Sequence, residues 1–307
     1  MGKRKILLTG SSGLLGHYFL QLLKDDEVIT LGRGEEADIK CDLEKETPRF
    51  TEDFPDGFDM VIHAAGTQEE GKALALNLEG SRRLLEGLNG IPVKQFVYIS
   101  STDVYGKKEG EGIKETDHLW TSDKVGQSKV LAEQEITKFC DEKGIILTIL
   151  RPVPMFGKGM KGWGERMAAQ VLSGYYLNIR DNDANVSIVL AYDVARAALA
   201  LANEGGVYNV TDMRDHSLQA LAMAMGNNGG KAKKPFFLPM KWAKIAARIG
   251  EMAGLGQVLL DREELRRRTS SLTFSVDKLK EKLPEFRPFD TAAVIGREDK
   301  DFPYEDD

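Results

Sequence analysis

The sequence predicts a doubly wound α/β fold, a parallel sheet with helices on both faces, followed by a smaller C-terminal lobe. Three observations carry this reading. Short, nearly all-apolar runs at 5–9, 59–63, 95–100 and 145–150 alternate with amphipathic helical stretches through the first half of the chain. Such alternation implies right-handed crossovers and parallel pairing. The first run passes through a glycine-spaced turn directly into helical periodicity at 14–24. Clusters of Gly, Pro and Asp punctuate the other junctions.

Taken in order, strands are expected at 5–9, at 27–31, in a third run ending near Cys41, and at 59–63, 95–100 and 145–150, the last leading into Arg151-Pro152. Helices are expected at 14–24, 77–88 and 125–142. The continuous apolar character of 95–100 and 145–150 is that of strands buried on both faces. After Gly157 the texture changes to a glycine-rich loop through Gly164, a helix at 165–174 and less regular alternation. A strand at 186–190 with a helix at 193–203 reads as a return to the large domain, and an amphipathic helix at 241–253 follows Leu238-Pro239.

The bulk numbers exclude several classes of function. With 42% hydrophobic and 29% charged residues in 307, the composition is that of a globular protein with a large core. A net charge of −6 argues against a nucleic-acid partner, which would call for clustered Lys and Arg. The opening MGKRKILLTG has too short an apolar run for a secretory leader, and no stretch approaches the roughly 18 apolar residues of a membrane span. Only Cys41 and Cys140 are present, far apart, so a reduced cytoplasmic setting is expected. His17, His63, His118 and His216 show no ligand-like spacing, and no metal is expected.

The chemistry begins at Thr9-Gly10-Ser11-Ser12-Gly13-Leu14-Leu15-Gly16, between a strand and a helix. Gly10 permits a tight turn, Gly13 lets a diphosphate approach the backbone, and Gly16 lets the helix pack closely on the strand. The unpaired N–H groups of the helix start face the phosphates. A dinucleotide-binding domain is therefore placed at 1–156, with 186–204 returning to it. A smaller substrate-binding lobe follows at 157–307, and its acidic tail 297–307 is expected to fray. The second strand ends Leu31-Gly32-Arg33-Gly34, with glycine where a ribose-binding acid would stand and a guanidinium next to it. This favours NADP over NAD. The other reading leaves Arg33 solvated and gives the ribose to Glu35 or Glu36.

These residues and the motifs that follow them resemble the extended short-chain dehydrogenase/reductases, particularly the nucleotide-sugar epimerases, dehydratases and 4-keto reductases. The resemblance runs through TGSSGLLG, Asp42-Leu43, HAAG at 63–66, Asn77 with Gly80, SSTDVYG at 100–106, SKVLAE at 128–133, RPVPMFG at 151–157, AYDVARA at 191–197, YNV at 208–210 and the late SSLTFSVDKLKEKL. It implies that Asp42 and Leu43 sit at the adenine and that Ala64, Ala65, Gly66 and Asn77 line the coenzyme. It places the catalytic Ser on Ser101, with Thr102 next to it, and the ribose-binding Lys on Lys129.

The family's catalytic Tyr falls on Val125, whose isopropyl group can neither give nor take a proton. Pro154 and Phe156 also depart from the pattern at the substrate end. Thr102, Asp103, His118, Asp123 and Lys124 are polar groups that could lie near the vacancy. The implied function is an NAD(P)-dependent oxidoreductase or epimerase acting on a nucleotide-linked sugar or similar small keto or hydroxy substrate. The alternative is an NAD(P)-binding sensor or partner protein without turnover. The resemblance also implies a possible homodimer through the helices at 77–88 and 125–142.

Overall fold

The computed structural model describes residues 3–50, 54–160, 162–227, 236–252 and 262–295. The apolar runs pair as the main sheet: β1 (Lys5–Thr9), β2 (Glu27–Gly32), β3 (Ile39–Lys40), β4 (Phe58–His63), β5 (Val93–Ile99), β6 (Ile146–Pro152) and β7 (Gly206–Val210). Their order is 3-2-1-4-5-6-7, and every neighbouring pair is parallel. The order reverses between β1 and β4, and ligands of such sheets bind beyond the carboxyl ends of strands at that switch point.

The alternation of side chains along each strand divides the core in two. Ile6 and Leu8 of β1 face one layer, which holds Leu15 and Phe19 of α1 (Leu14–Leu22). Leu7 faces the other, with Leu84 and Leu85, and Ala132 and Ile136. That second layer is built by a helical run of α2 (Glu70–Ala73), a π-helical stretch Leu74–Gly80 and α3 (Ser81–Gly87), packed beside α4 (Lys124–Lys143). The helix expected at 77–88 thus begins about two turns earlier, at Glu70, with a π-bulge inside it; an extra residue per turn of that kind is common near functional sites.

Beyond Gly157 the chain forms α5 (Trp163–Ser173), close to the expected 165–174. The strand expected at 186–190 is corrected. Asn185–Ser187 joins a separate four-stranded sheet, and Val189–Leu190 pairs with Met155–Phe156. The run bends at Ile188, which is itself fully buried. The chain returns to the large core instead through α6 (Ala191–Leu201), which packs on α1, and through β7. β7 had shown only the YNV triplet between glycines and a polar turn. The helix expected at 241–253 is found at Met240–Met252, and residue 253 and the tail 297–307 lie outside the described residues. Among the described residues no helix is long and apolar enough to cross a membrane. Cys41 and Cys140 are free and buried.

Candidate coenzyme and catalytic site

β1 ends at Thr9, and Gly10 turns the chain in the left-handed region at φ +76°. A Cβ on Gly10 would stand 2.7 Å from the backbone of Ala64 and Ala65. One on Gly16 would stand 2.3 Å from the carbonyl oxygens of Gly10 and Ser11. Those two glycines are required by the protein's own packing. Gly13 is different: its amide donates to the Gly10 carbonyl at 3.0 Å, yet a Cβ there would meet only that oxygen, at 3.2 Å. Gly13 is also the N-cap of α1 and provides no side-chain cap, so the helix start keeps donors for an anion. Around it Ser12 is exposed, Ser11 and Leu14 are half-buried and Leu15 joins the core. A turn that requires glycine at 10 and 16 and leaves an open face at Gly13, at an uncapped helix start, fits a dinucleotide's diphosphate.

At the end of β2, Arg33 is exposed and its guanidinium lies 3.4 Å from Glu44. Glu35 pairs with Lys40, and the Asp38 carboxylate accepts from both the amide and the hydroxyl of Thr30. Asp42 is half-buried, accepts the Glu44 amide at 3.2 Å and pairs with Lys45. Leu43 is buried, and its carbonyl accepts from Arg83.

The loop after β4 is tied down on both sides. The Thr9 carbonyl accepts from Ala64 N at 3.3 Å, and its hydroxyl accepts from Ala65 N at 3.2 Å. Asn77, buried in the π-bulge, grips Thr67 twice, accepting from its amide at 2.8 Å and donating to its carbonyl at 3.1 Å. Asn77 also donates to Ser128 on α4. Gly66 passes so close that a Cβ on it would lie 3.0 Å from the Lys129 amine and 3.1 Å from Asn77 Oδ1.

His63 sits beneath this loop, bonded to the Thr9 hydroxyl at 2.7 Å and to Ser81 Oγ at 2.9 Å. Because Ser81 spends its proton on the Asn77 carbonyl, His63 must donate from Nε2 and accept at Nδ1. A second proton would have to turn away the donation from the Thr9 hydroxyl, and burial followed by the charge of Lys129 pushes the imidazole pKa down to about 3. The unfolded chain takes up that proton near pH 6.5, the native one only near 3. Stability therefore declines as pH falls through that window, by about 2 kcal/mol between pH 6.5 and 5. Urea unfolding at the two pH values checks this. His63→Gln should be less stable at neutral pH yet should lack this portion of the slope, and an unchanged slope would refute the assignment.

β5 delivers Ser100, Ser101, Thr102 and Asp103 to the same end of the sheet. Ser100 donates to Glu133, and Thr102 is turned into the core, donating to the Pro152 carbonyl at 3.3 Å. Ser101 is nearly buried; its hydroxyl donates to Asp103 Oδ2 at 2.8 Å and accepts the Asp103 amide at 3.1 Å. Lys129 is buried on α4, donates to the Ile99 carbonyl at 2.9 Å and lies 5.0 Å from the centre of the Tyr98 ring. Burial pushes its pKa down to about 8, opposed by the charges of Glu133 and Asp103. Val125, one turn before Lys129, is buried.

Sequence reasoning missed the group that fixes this corner. Arg151 at the end of β6 holds the Glu133 carboxylate through Nε at 3.0 Å and Nη2 at 2.6 Å, with both side chains buried. Arg151 also donates to the Tyr105 hydroxyl at 3.0 Å. Both partners lay inside quoted motifs, SKVLAE and RPVPMFG, but nothing in either motif says that they meet. Sequence spacing also hides a second cluster, in which Asp212, His216 and Asp290 bring donor atoms within 4.8 Å of one another. These donors are already engaged: Asp212 accepts from His216 at 2.7 Å and from the amides of Arg214 and Thr291, and Asp290 lies 3.7 Å from Arg214. The cluster works as a clamp between two chain segments.

A doubly wound sheet with a glycine turn after its first strand, a serine just past β5 and a buried lysine in the second turn of α4 is the arrangement of enzymes of the extended short-chain, nicotinamide-coenzyme class. The family model for the NAD dependent epimerase/dehydratase family matches residues 6–211, and the chain belongs to that family. It is 33% identical to a UDP-glucose 4-epimerase of Klebsiella pneumoniae, over 33% of this chain and 92% of that protein. The match spans only 46% to 57% of the length of four other curated relatives. Among solved structures it is similar to a UDP-glucose 4-epimerase from Thermotoga maritima, with TM-score 0.69 and 20% identity over 95% of this chain and 96% of that one. It is equally similar to RMD from Pseudomonas aeruginosa complexed with NADPH, with TM-score 0.68 and 20% identity over 96% and 97%.

Proposed function

We propose that this chain carries out nicotinamide-coenzyme-dependent oxidation or reduction at a hydroxyl or keto carbon of a nucleotide-linked sugar, as an epimerase or reductase. The observation that carries this reading is the convergence of Ser101, Lys129 and the close-packed Gly66 at the carboxyl ends of β4 and β5, beside the glycine cradle. Gly10 to Gly16 would hold the diphosphate, Asp42 and Leu43 the adenine end, and Lys129 the nicotinamide ribose. The coenzyme supplies hydride exchange when bound. The protein's part is to orient the sugar hydroxyl at Ser101 and to exclude water behind it with the tied loop 64–67. We assign the cradle to residues 1–156 and sugar recognition to the lobe beyond.

Arg33, loosely paired and exposed, supports NADP as the preferred coenzyme. Arg33→Ala should weaken NADPH binding about tenfold, the loss of one charge-assisted contact, and leave NADH unchanged. Calorimetric titration with both coenzymes checks this, and equal losses would remove the phosphate role. The reaction itself is tested by incubating the protein with reduced coenzyme and nucleotide 4-keto sugars, and with UDP-glucose for epimer exchange. No turnover despite measured coenzyme binding would leave a binding protein without redox chemistry.

A further inference from the structure

We propose that Asp103 takes over proton transfer where Val125 leaves no phenol, exchanging protons with the substrate oxygen through the Ser101 hydroxyl. The inference rests on the functional reading above and deepens it.

Of the polar groups around the vacancy, two are committed elsewhere. Thr102 faces the Pro152 carbonyl, and the Asp123 carboxylate caps α4 by accepting the Gly126 amide at 2.8 Å. His118 and Lys124 are exposed to solvent. Asp103 alone is bonded to the serine that the family uses, at 2.8 Å. Its place is fixed by close packing, because a Cβ on Gly126 would stand 2.6 Å from the Asp103 carbonyl oxygen. The short helix holding Asp103 is thus seated against the first turn of α4, beside Val125. Asp103 is an exposed residue, as His118 and Lys124 are, although protein atoms crowd around its carboxyl; what sets it apart is its bond to Ser101. That exposure lets it exchange protons with water, which a sealed carboxyl could not do.

The charged and polar groups facing Asp103 are Ser101 on its own element, Gln68 from the loop after β4, and Asp123 and Lys129 from α4. Crowding by protein raises its pKa above the ordinary carboxylate range, and Asp123 adds to this; the Ser101 and Gln68 hydrogen bonds and Lys129 oppose it. Oxidation of a sugar hydroxyl then balances as follows. The substrate O–H bond breaks and its proton joins Ser101 Oγ, while the Ser101 proton joins an Asp103 carboxylate oxygen. The oxidised coenzyme, when bound, would supply the two-electron acceptor for the carbon-bound hydrogen, taken as hydride, so that the carbon becomes a ketone. Reduction runs the same transfers backwards, and Asp103 is reprotonated by water. Because Asp103 acts through Ser101, it is a positioning residue and Ser101 the catalytic one.

Two measurements test this. In protein without coenzyme, carbon-13 NMR of labelled aspartates should show, besides that of the buried Asp193, a carboxyl titrating above the usual range. It should be absent in Asp103→Asn and move higher still in Ser101→Ala, which removes a hydrogen bond to the ionised form. A carboxyl in the ordinary range, unmoved by Ser101→Ala, overturns the pairing. In turnover, Asp103→Asn should bind coenzyme normally and lose roughly a hundredfold in rate, with the acidic limb of the pH profile, while Asp103→Asn with Val125→Tyr regains part of it. Full activity in Asp103→Asn overturns the proposal. Turnover by Val125→Tyr but not by the natural chain overturns it while leaving the functional reading intact. Turnover by neither, with coenzyme bound, overturns both.

Discussion

Gly16→Ala is expected to lose stability on the order of 3 kcal/mol and coenzyme affinity at least a hundredfold, whereas Gly13→Ala loses affinity alone. The difference follows from what each new methyl group meets. At Gly16 it would lie 2.3 Å from two backbone carbonyl oxygens, so α1 must retreat from the turn that it closes. At Gly13 the nearest atom is 3.2 Å away, and the residue is exposed at an uncapped helix start with extended backbone. A methyl group there obstructs only something arriving from outside. Denaturant unfolding and calorimetry with NADPH on both variants check the pair. Should Gly13→Ala bind as tightly as the natural chain, the cradle does not hold a diphosphate, whatever the fate of Gly16→Ala.

The second large effect is at Glu133 and Arg151. Arg151→Met leaves a buried carboxylate without its bidentate partner, and a loss of about 3 to 5 kcal/mol in unfolding free energy is expected. Glu133→Leu strands the guanidinium beside the Tyr105 hydroxyl with similar consequence. The double variant Glu133→Leu/Arg151→Met should be much more stable than the sum of its parts, because burying two charges costs about as much as their attraction returns. Strict additivity in the double-mutant cycle would show that the charges do not depend on each other. Glu133 also lies one turn beyond Lys129 on α4. The single variants should therefore disturb coenzyme binding even though neither residue lines the cradle.

How much of this was legible beforehand depended on the length scale of the signal. β1, the glycine turn and α1 are contiguous, and turn chemistry plus apolar periodicity specify them locally. The same holds for β5 and β6, whose apolar runs are long, and for α4, whose helical spacing of apolar residues is sustained. Ile188 escaped because an apolar run tells how much is buried but not where it bends, and β7 because five residues beside glycines carry little pattern. The site divided in the same way. The motifs point to Ser101 and Lys129, whereas the Glu133–Arg151 pair and the double grip of Asn77 on Thr67 join residues 18 and 10 positions apart through tertiary contact alone. The π-bulge that aims Asn77 has no sequence period of its own.

That grip has a thermodynamic corollary. One amide side chain saturates both backbone groups of Thr67, so the segment from Ala64 to Thr67 gave up its freedom when the chain folded. A ligand settling over it meets a finished wall with no ordering cost left to bear, and liganded and free molecules should superpose along that stretch.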